Sequence, residues 1–157
     1  MSLYIYRYSK PTVTDAVLKA LLPGSITVVF HRSDCLNKDL NPGVDLVGIR
    51  IPDYPAVVRL VELCGTPLAL TSANISQAQS SLEIEEFKDT WSDLNLILDG
   101  GRIGTNSGSA ESDDDRRGST VVDLSKEGYY RLIREGTNSG KIIDILQDAG
   151  LTEVKDN

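Results

Sequence analysis

Apolar positions along the chain fall into two spacings, and the switches between them mark the elements. Val17, Leu18, Leu21 and Leu22 recur at helical spacing behind Thr14, whose hydroxyl suits an N-cap, and Pro23-Gly24 stops the run; a helix is predicted over residues 15–22. Residues 25–30 and 46–51 read as strands, separated by a polar stretch with Asn41-Pro42-Gly43 as its turn signal. Pro55 opens a helix over residues 55–64 that gathers Val57, Val58, Val61 and Cys64 on one face, and Gly65 suits its left-handed end. A third strand is predicted at residues 67–71. Ser80 and Glu83 have the spacing of a capping box, so a helix is expected from there to about Thr90, followed by a fourth strand at residues 95–99. Residues 102–117 hold Ile103 as their only large apolar side chain and read as a mobile loop. Residues 119–124 and 129–134, joined at Lys126-Glu127-Gly128, form a predicted hairpin. Ser139 is expected to cap a last helix that ends at Gly150, and residues 151–157 read as a frayed tail.

In this order some strands are joined by helices and others by turns, which implies an α/β domain with a twisted mixed sheet and flanking helices. The 157 residues fit a single domain, and a chain of that size buries roughly two thirds of its unfolded surface. Hydrophobic residues make up 40% and charged ones 25%, as in globular proteins generally. The net charge of −7 disfavours a broad phosphate-binding or membrane-binding surface, so any cationic site must be local. Cys35, Cys64 and the single histidine, His31, are too few for a structural zinc site or a disulfide framework, and no metal site is expected. No run approaches ~18 apolar residues and no secretory pattern opens the chain, which points to the cytoplasm.

Three places join an apolar strand to polar residues at its end, where open α/β sheets hold ligands. Thr71-Ser72-Ala73-Asn74, with Ser80 beyond it, offers hydroxyls, an amide and backbone donors to a phosphate or a base edge; the bland alternative is an ordinary polar loop. Arg50 is a lone guanidinium within the strand Gly48-Ile49-Arg50-Ile51. It either forks onto a ligand carboxylate or pairs with Asp45, Asp53 or another acid. Gly118-Ser119-Thr120, together with Arg134 at the far end of the hairpin, makes either a small anion cradle or a plain hairpin with a solvated arginine. His31 reads as a surface residue, and Trp91 as a packing one. The acidic run at 111–115 lacks the glycine and glutamate positions of a calcium loop.

Taken in order, Pro23-Gly24-Ser25-Ile26-Thr27, Gly48-Ile49-Arg50-Ile51-Pro52-Asp53, Pro67-Leu68-Ala69-Leu70-Thr71-Ser72-Ala73-Asn74, Gly118-Ser119-Thr120-Val121-Val122-Asp123 and Ile133-Arg134-Glu135-Gly136 resemble the successive motifs of the YrdC family of threonylcarbamoyl-AMP synthases. The resemblance runs from about Ile5 to Gly150 and is closest to the animal members. It implies a twisted mixed sheet with an open cleft. It also implies a nucleotidyl transfer that joins L-threonine, bicarbonate and ATP into threonylcarbamoyl-AMP, with magnesium accompanying the ATP. The product passes to a tRNA threonylcarbamoyl-transferase complex for modification of the adenosine beside the anticodon. Carried over by position, Arg50, Leu70, Ser119 and Thr120 bind threonine, and Ser72, Asn74, Ser80 and Arg134 bind ATP; no catalytic residue is implied. Family members also carry, ahead of the helix at residues 14–22, a Pro-Thr-x-Thr-x-Tyr-Gly-Leu motif and a Lys-x-Arg motif that this sequence lacks. The expectation is therefore an N-terminally truncated domain with little synthase activity, reduced stability and a tendency to self-associate; loss of a presequence with the absent segment would make the address mitochondrial. The competing readings are a non-catalytic nucleotide-binding or RNA-binding fragment and the carbamoyl-transfer domain of hydrogenase-maturation proteins.

Overall fold

The structure is a computed structural model describing residues 2–74, 79–103 and 116–155, with the side chains of residues 2 and 3 outside that set. Two compact units are present. One comprises residues 1–69 with 119–157, the other residues 70–118.

Among the described residues the first unit contains all the strands: β1 (Ser9–Lys10), β2 (Ile26–Arg32), β3 (Leu46–Ile49), β4 (Thr120–Asp123), β5 (Tyr129–Arg134) and β6 (Thr152–Glu153). β2 is the axis of the sheet. It pairs antiparallel with β1 and β3 and parallel with β4, and the sheet continues through antiparallel β5 to parallel β6. Strand alternation gives β2 two different faces. Ile26, Val28 and Phe30 join Val122, Leu124 and Tyr130 in the core, against Leu18 and Leu21 of α2 (Asp15–Leu21) and Ile142 and Leu146 of α4 (Ser139–Asp148). Thr27, Val29 and His31 face the other way.

Several sequence expectations hold locally. Thr14 caps α2 with its hydroxyl, accepting from Val17 N. α3 (Pro55–Cys64) has Pro at its start and Gly65 in the left-handed region at its end, with φ 65°. Its apolar face, however, buries no residue. Arg32 organises the polar stretch after β2: its guanidinium donates to the carbonyl oxygens of Asn37, Leu40, Asn41 and Val44.

Others are corrected. A helix, α1 (Ser2–Tyr8), opens the chain and contributes Ile5 to the core. Residues 67–71 and 95–99 form no strand: Leu70, Leu96 and Leu98 are each about 70% exposed, and a β-prone run adds no ladder without a neighbouring strand. Ser80 and Glu83 form no capping box; Glu83 is itself the N-cap, without a side-chain bond, of two 3-10 turns over Ile84–Asp93 joined at a kink at Phe87. Asn138, not Ser139, stands at the N-cap position of α4, with no side-chain capping bond. The expected tail is partly ordered, because the Thr152 N–H donates to Gly128 O and the Val154 N–H to Tyr130 O, which builds β6. The expected mobile loop lies, for residues 104–115, outside the described residues.

Asp123 ends β4 almost buried. Burial alone would raise its pKa, but the Ser125 hydrogen bonds and the Arg131 guanidinium outweigh it and hold the carboxyl below the usual range. A lowered folded-state pKa gives stability that is full above the unfolded value and lost as pH falls through the folded one. Asp123→Asn should therefore cost about 1 kcal/mol at neutral pH. In paired urea titrations that gap should close as the pH drops below about 4, the ordinary carboxylate value; a gap that widens in acid would contradict this assignment.

Candidate amino-acid site at one end of the sheet

The register brings separated sequence motifs together. Val29 lies opposite Gly48 and Val28 opposite Ile49; beyond Ile49 the ladder breaks, and the Gly24 N–H donates to Ile51 O two residues out of that register. On the face opposite the core Gly48 lies against the methyl group of Thr27, and Arg50 follows two residues later, just past the end of β3. Thr27 is also level with Val121 of β4. Val121 in turn pairs with Arg134.

That last pairing depends on a bulge. Asp123 pairs with Arg131 and Val122 with Leu132, yet Val121 pairs with Arg134, so Ile133 is the extra residue. Regular alternation would put Arg134 on the same face as Leu132, toward the core. The bulge turns it to the Thr27 face, as bulges re-aim side chains beside functional sites. There Arg134 Nε and Nη2 donate to Ser119 O at 3.1 and 2.7 Å, and Nη2 also reaches Ser119 Oγ at 3.2 Å. Ser119 Oγ lies 3.1 Å from Thr27 Oγ1.

The expected site residues have distinct surroundings. Arg50 is exposed and, among the described residues, pairs with neither Asp45 nor Asp53, so its fork faces solvent. Ser119 is buried behind Thr27. Thr120 is fully buried on the core face, donating to Thr137 O at 3.0 Å and accepting from Gly136 N at 3.2 Å, which holds the turn after β5. Arg134 is exposed. Thr27 was not among the expected site residues. The signal for it was present: it is the polar position in Ile26-Thr27-Val28 and therefore sits on the face that the core strand turns outward.

Leu70, Ser72, Asn74 and Ser80 belong to the second unit. Leu70 and Ser72 are exposed, while Asn74 and Ser80 are half-buried. Thr71 Oγ1 donates to Ser72 O and Ser81 Oγ to Ala73 O, which tightens this turn. Asn74 lines a shallow pocket with Gln79, Ser81, Phe87 and the acidic Glu86 and Asp89. Beside it, Arg116 forks onto both oxygens of Glu86 at 2.7 and 3.0 Å and donates to Ser80 O at 2.8 Å. The Arg116 hydrogen bonds hold the Glu86 carboxyl below its usual range, against a smaller opposing effect of desolvation.

The family model named for Sua5, YciO and YrdC, described as telomere recombination, matches residues 2–136. The chain belongs to that family. It is 51% identical over 147 residues to bovine threonylcarbamoyl-AMP synthase, covering 94% of this chain and 52% of that one. The human synthase is 50% identical over 143 residues, covering 91% of this chain and 50% of its own. The chain thus spans about half the length of the curated Sua5/YciO/YrdC relatives it matches. Among solved structures, Pyrococcus abyssi Sua5 complexed with L-threonine superposes with a TM-score of 0.74 at 25% identity, covering 94% of this chain and 41% of that one. Escherichia coli YciO, at 24% identity and a TM-score of 0.72, covers 90% of this chain and 65% of its own and shares the fold. The expected mixed sheet with flanking helices is the Sua5/YciO/YrdC fold.

Proposed function

We propose that this chain carries amino-acid-binding and nucleotide-binding elements of a threonylcarbamoyl-AMP synthase. L-threonine, bicarbonate and ATP become threonylcarbamoyl-AMP, pyrophosphate and water, and the product goes to a transferase complex acting on tRNA in the cytoplasm. The observation that carries this reading is the pair of Thr27 and Ser119 hydroxyls on the face where Gly48 packs, with the exposed Arg50 two residues beyond Gly48: donors and acceptors for a small polar amino acid and a planar cation for its carboxylate. The relatives named as threonylcarbamoyl-AMP synthases, and the Sua5 bound to L-threonine, support the choice of substrate.

In this reading Arg50 anchors the carboxylate. Ser119 shapes the floor, and Thr120 supports it by fixing the turn at Gly136. In the second unit Ser72, Asn74 and Ser80 are proposed as nucleotide contacts, and in the first Arg134 as a phosphate contact. Magnesium enters this proposal as the partner of the ATP phosphates. Among the described residues, no helix is long and apolar enough to cross a membrane.

Calorimetric titration of the chain with L-threonine, and separately with ATP and magnesium, tests the reading. Saturable one-to-one binding of both is expected. No heat and no competition from L-threonine at millimolar concentration would sink it.

A further inference from the structure

We infer that Thr27 is a specificity-determining residue of this site: its hydroxyl recognises the β-hydroxyl of the bound amino acid, and Arg134 sets its orientation through Ser119. This rests on the reading of the site as an amino-acid pocket anchored by Arg50.

Thr27 lies against Gly48, two residues before Arg50 on the neighbouring segment. In this inference a carboxylate held by Arg50 leaves the rest of a small amino acid over Gly48 and Thr27. Space is left for it there. Gly48, the exposed neighbour on the same face, has no side chain, and a Cβ at that position would come within 3.1 Å of Thr27 Cγ2 and 3.9 Å of Val29 Cγ2. A larger residue would press on the Thr27 methyl group and fill the ground between Arg50 and the strand.

The pair of hydroxyls is anchored from behind. A guanidinium only donates, so Ser119 Oγ accepts from Arg134 Nη2. Ser119 is only 3% exposed and its carbonyl is already held by Nε and Nη2 of the same arginine, so its position is fixed from two sides. Either hydroxyl can donate across the Ser119–Thr27 contact; the inferred recognition uses the arrangement in which Ser119 donates and the Thr27 O–H points outward. Thr27 is half-buried and lies nearer the surface than Ser119, so the chain of contacts from Arg134 through Ser119 ends at it. A site that hydrogen-bonds a substrate hydroxyl discriminates strongly against the analogue that lacks it.

The test is calorimetry with L-threonine and L-2-aminobutyrate, which has the same carbon skeleton without the hydroxyl, on the wild-type chain, Thr27→Val and Thr27→Ser. Wild type should prefer threonine by about tenfold or more. Thr27→Val should lose about tenfold in threonine affinity while keeping 2-aminobutyrate within about twofold, so the preference collapses. Thr27→Ser should retain it. Thr27→Ala gives the same comparison if the valine variant does not fold, which thermal melting decides. A Thr27→Val chain that is folded and still prefers threonine overturns the inference and leaves the amino-acid site standing. Equal loss of both ligands in a folded variant assigns Thr27 a structural role and also overturns it. A wild-type chain that binds neither ligand removes the amino-acid reading and this inference together.

Discussion

Arg50→Ala should weaken L-threonine binding by about 30-fold or more while leaving the melting temperature unchanged. Truncating one partner of a hydrogen-bonded charge pair costs roughly 2–5 kcal/mol, and an exposed site belongs at the lower end; 2 kcal/mol corresponds to about 30-fold. Stability should be untouched because Arg50 is exposed and forms no ion pair with Asp45 or Asp53. Arg50→Lys should recover only part of the affinity, since an ammonium keeps the charge but loses the two-pronged geometry that matches a carboxylate. The measurement is a threonine titration paired with a thermal melt. Full affinity in Arg50→Ala would show that the carboxylate is held elsewhere; a large fall in melting temperature would show that Arg50 is structural.

The second unit should exchange its amide hydrogens at least about 10³-fold faster than β2 and β4. Among its described residues one large apolar side chain is buried, Leu82, whereas Leu70, Leu94, Leu96, Leu98 and Ile103 are all exposed. Its order comes mainly from polar links, Arg102 to Glu83 and Arg116 to Glu86 and Ser80 O, which are partly solvated and salt-sensitive. The strands of the first unit enclose Phe30, Val28 and Val122, each with no exposed surface. Local opening energies run from near zero to the global value, and a gap of about 4 kcal/mol gives the stated ratio. Mass-spectrometric hydrogen exchange should show it, and added salt should widen it. Equal protection in the two units would mean that residues 70–118 are stabilised by something other than their visible contacts. The exposed leucines also make this unit the place where self-association would start.

The sequence was most informative where local rules act alone. The Thr14 cap, the Pro55 start and Gly65 end of α3, the hairpin at Lys126-Glu127-Gly128 and the core alternation of β2 all follow from residue type and short spacing. It failed where a partner was needed. Pro67-Leu68-Ala69-Leu70-Thr71 and Asn95-Leu96-Ile97-Leu98-Asp99 have strand-like composition, but a strand exists only beside another strand, and no local pattern reveals whether that neighbour is present. Thr152–Glu153 is the converse: polar and terminal, it becomes a strand because β5 offers it an open edge. For the site, Arg50, Ser119 and Arg134 could be named from their motifs, but the meeting of Arg134 with Ser119 could not. Their proximity is a matter of register, and so is the place of Thr27 beside Ser119.

The bulge at Ile133 carries a further consequence. Its side chain is half-exposed, and many replacements there should pass unnoticed. Removing the residue is a different event. Deleting this single codon would restore regular alternation, swing Arg134 toward the core and withdraw three hydrogen bonds from Ser119. Position 133 is thus free in identity and fixed in number: a gap there in a related sequence should signal a lost site even where every motif on either side is intact.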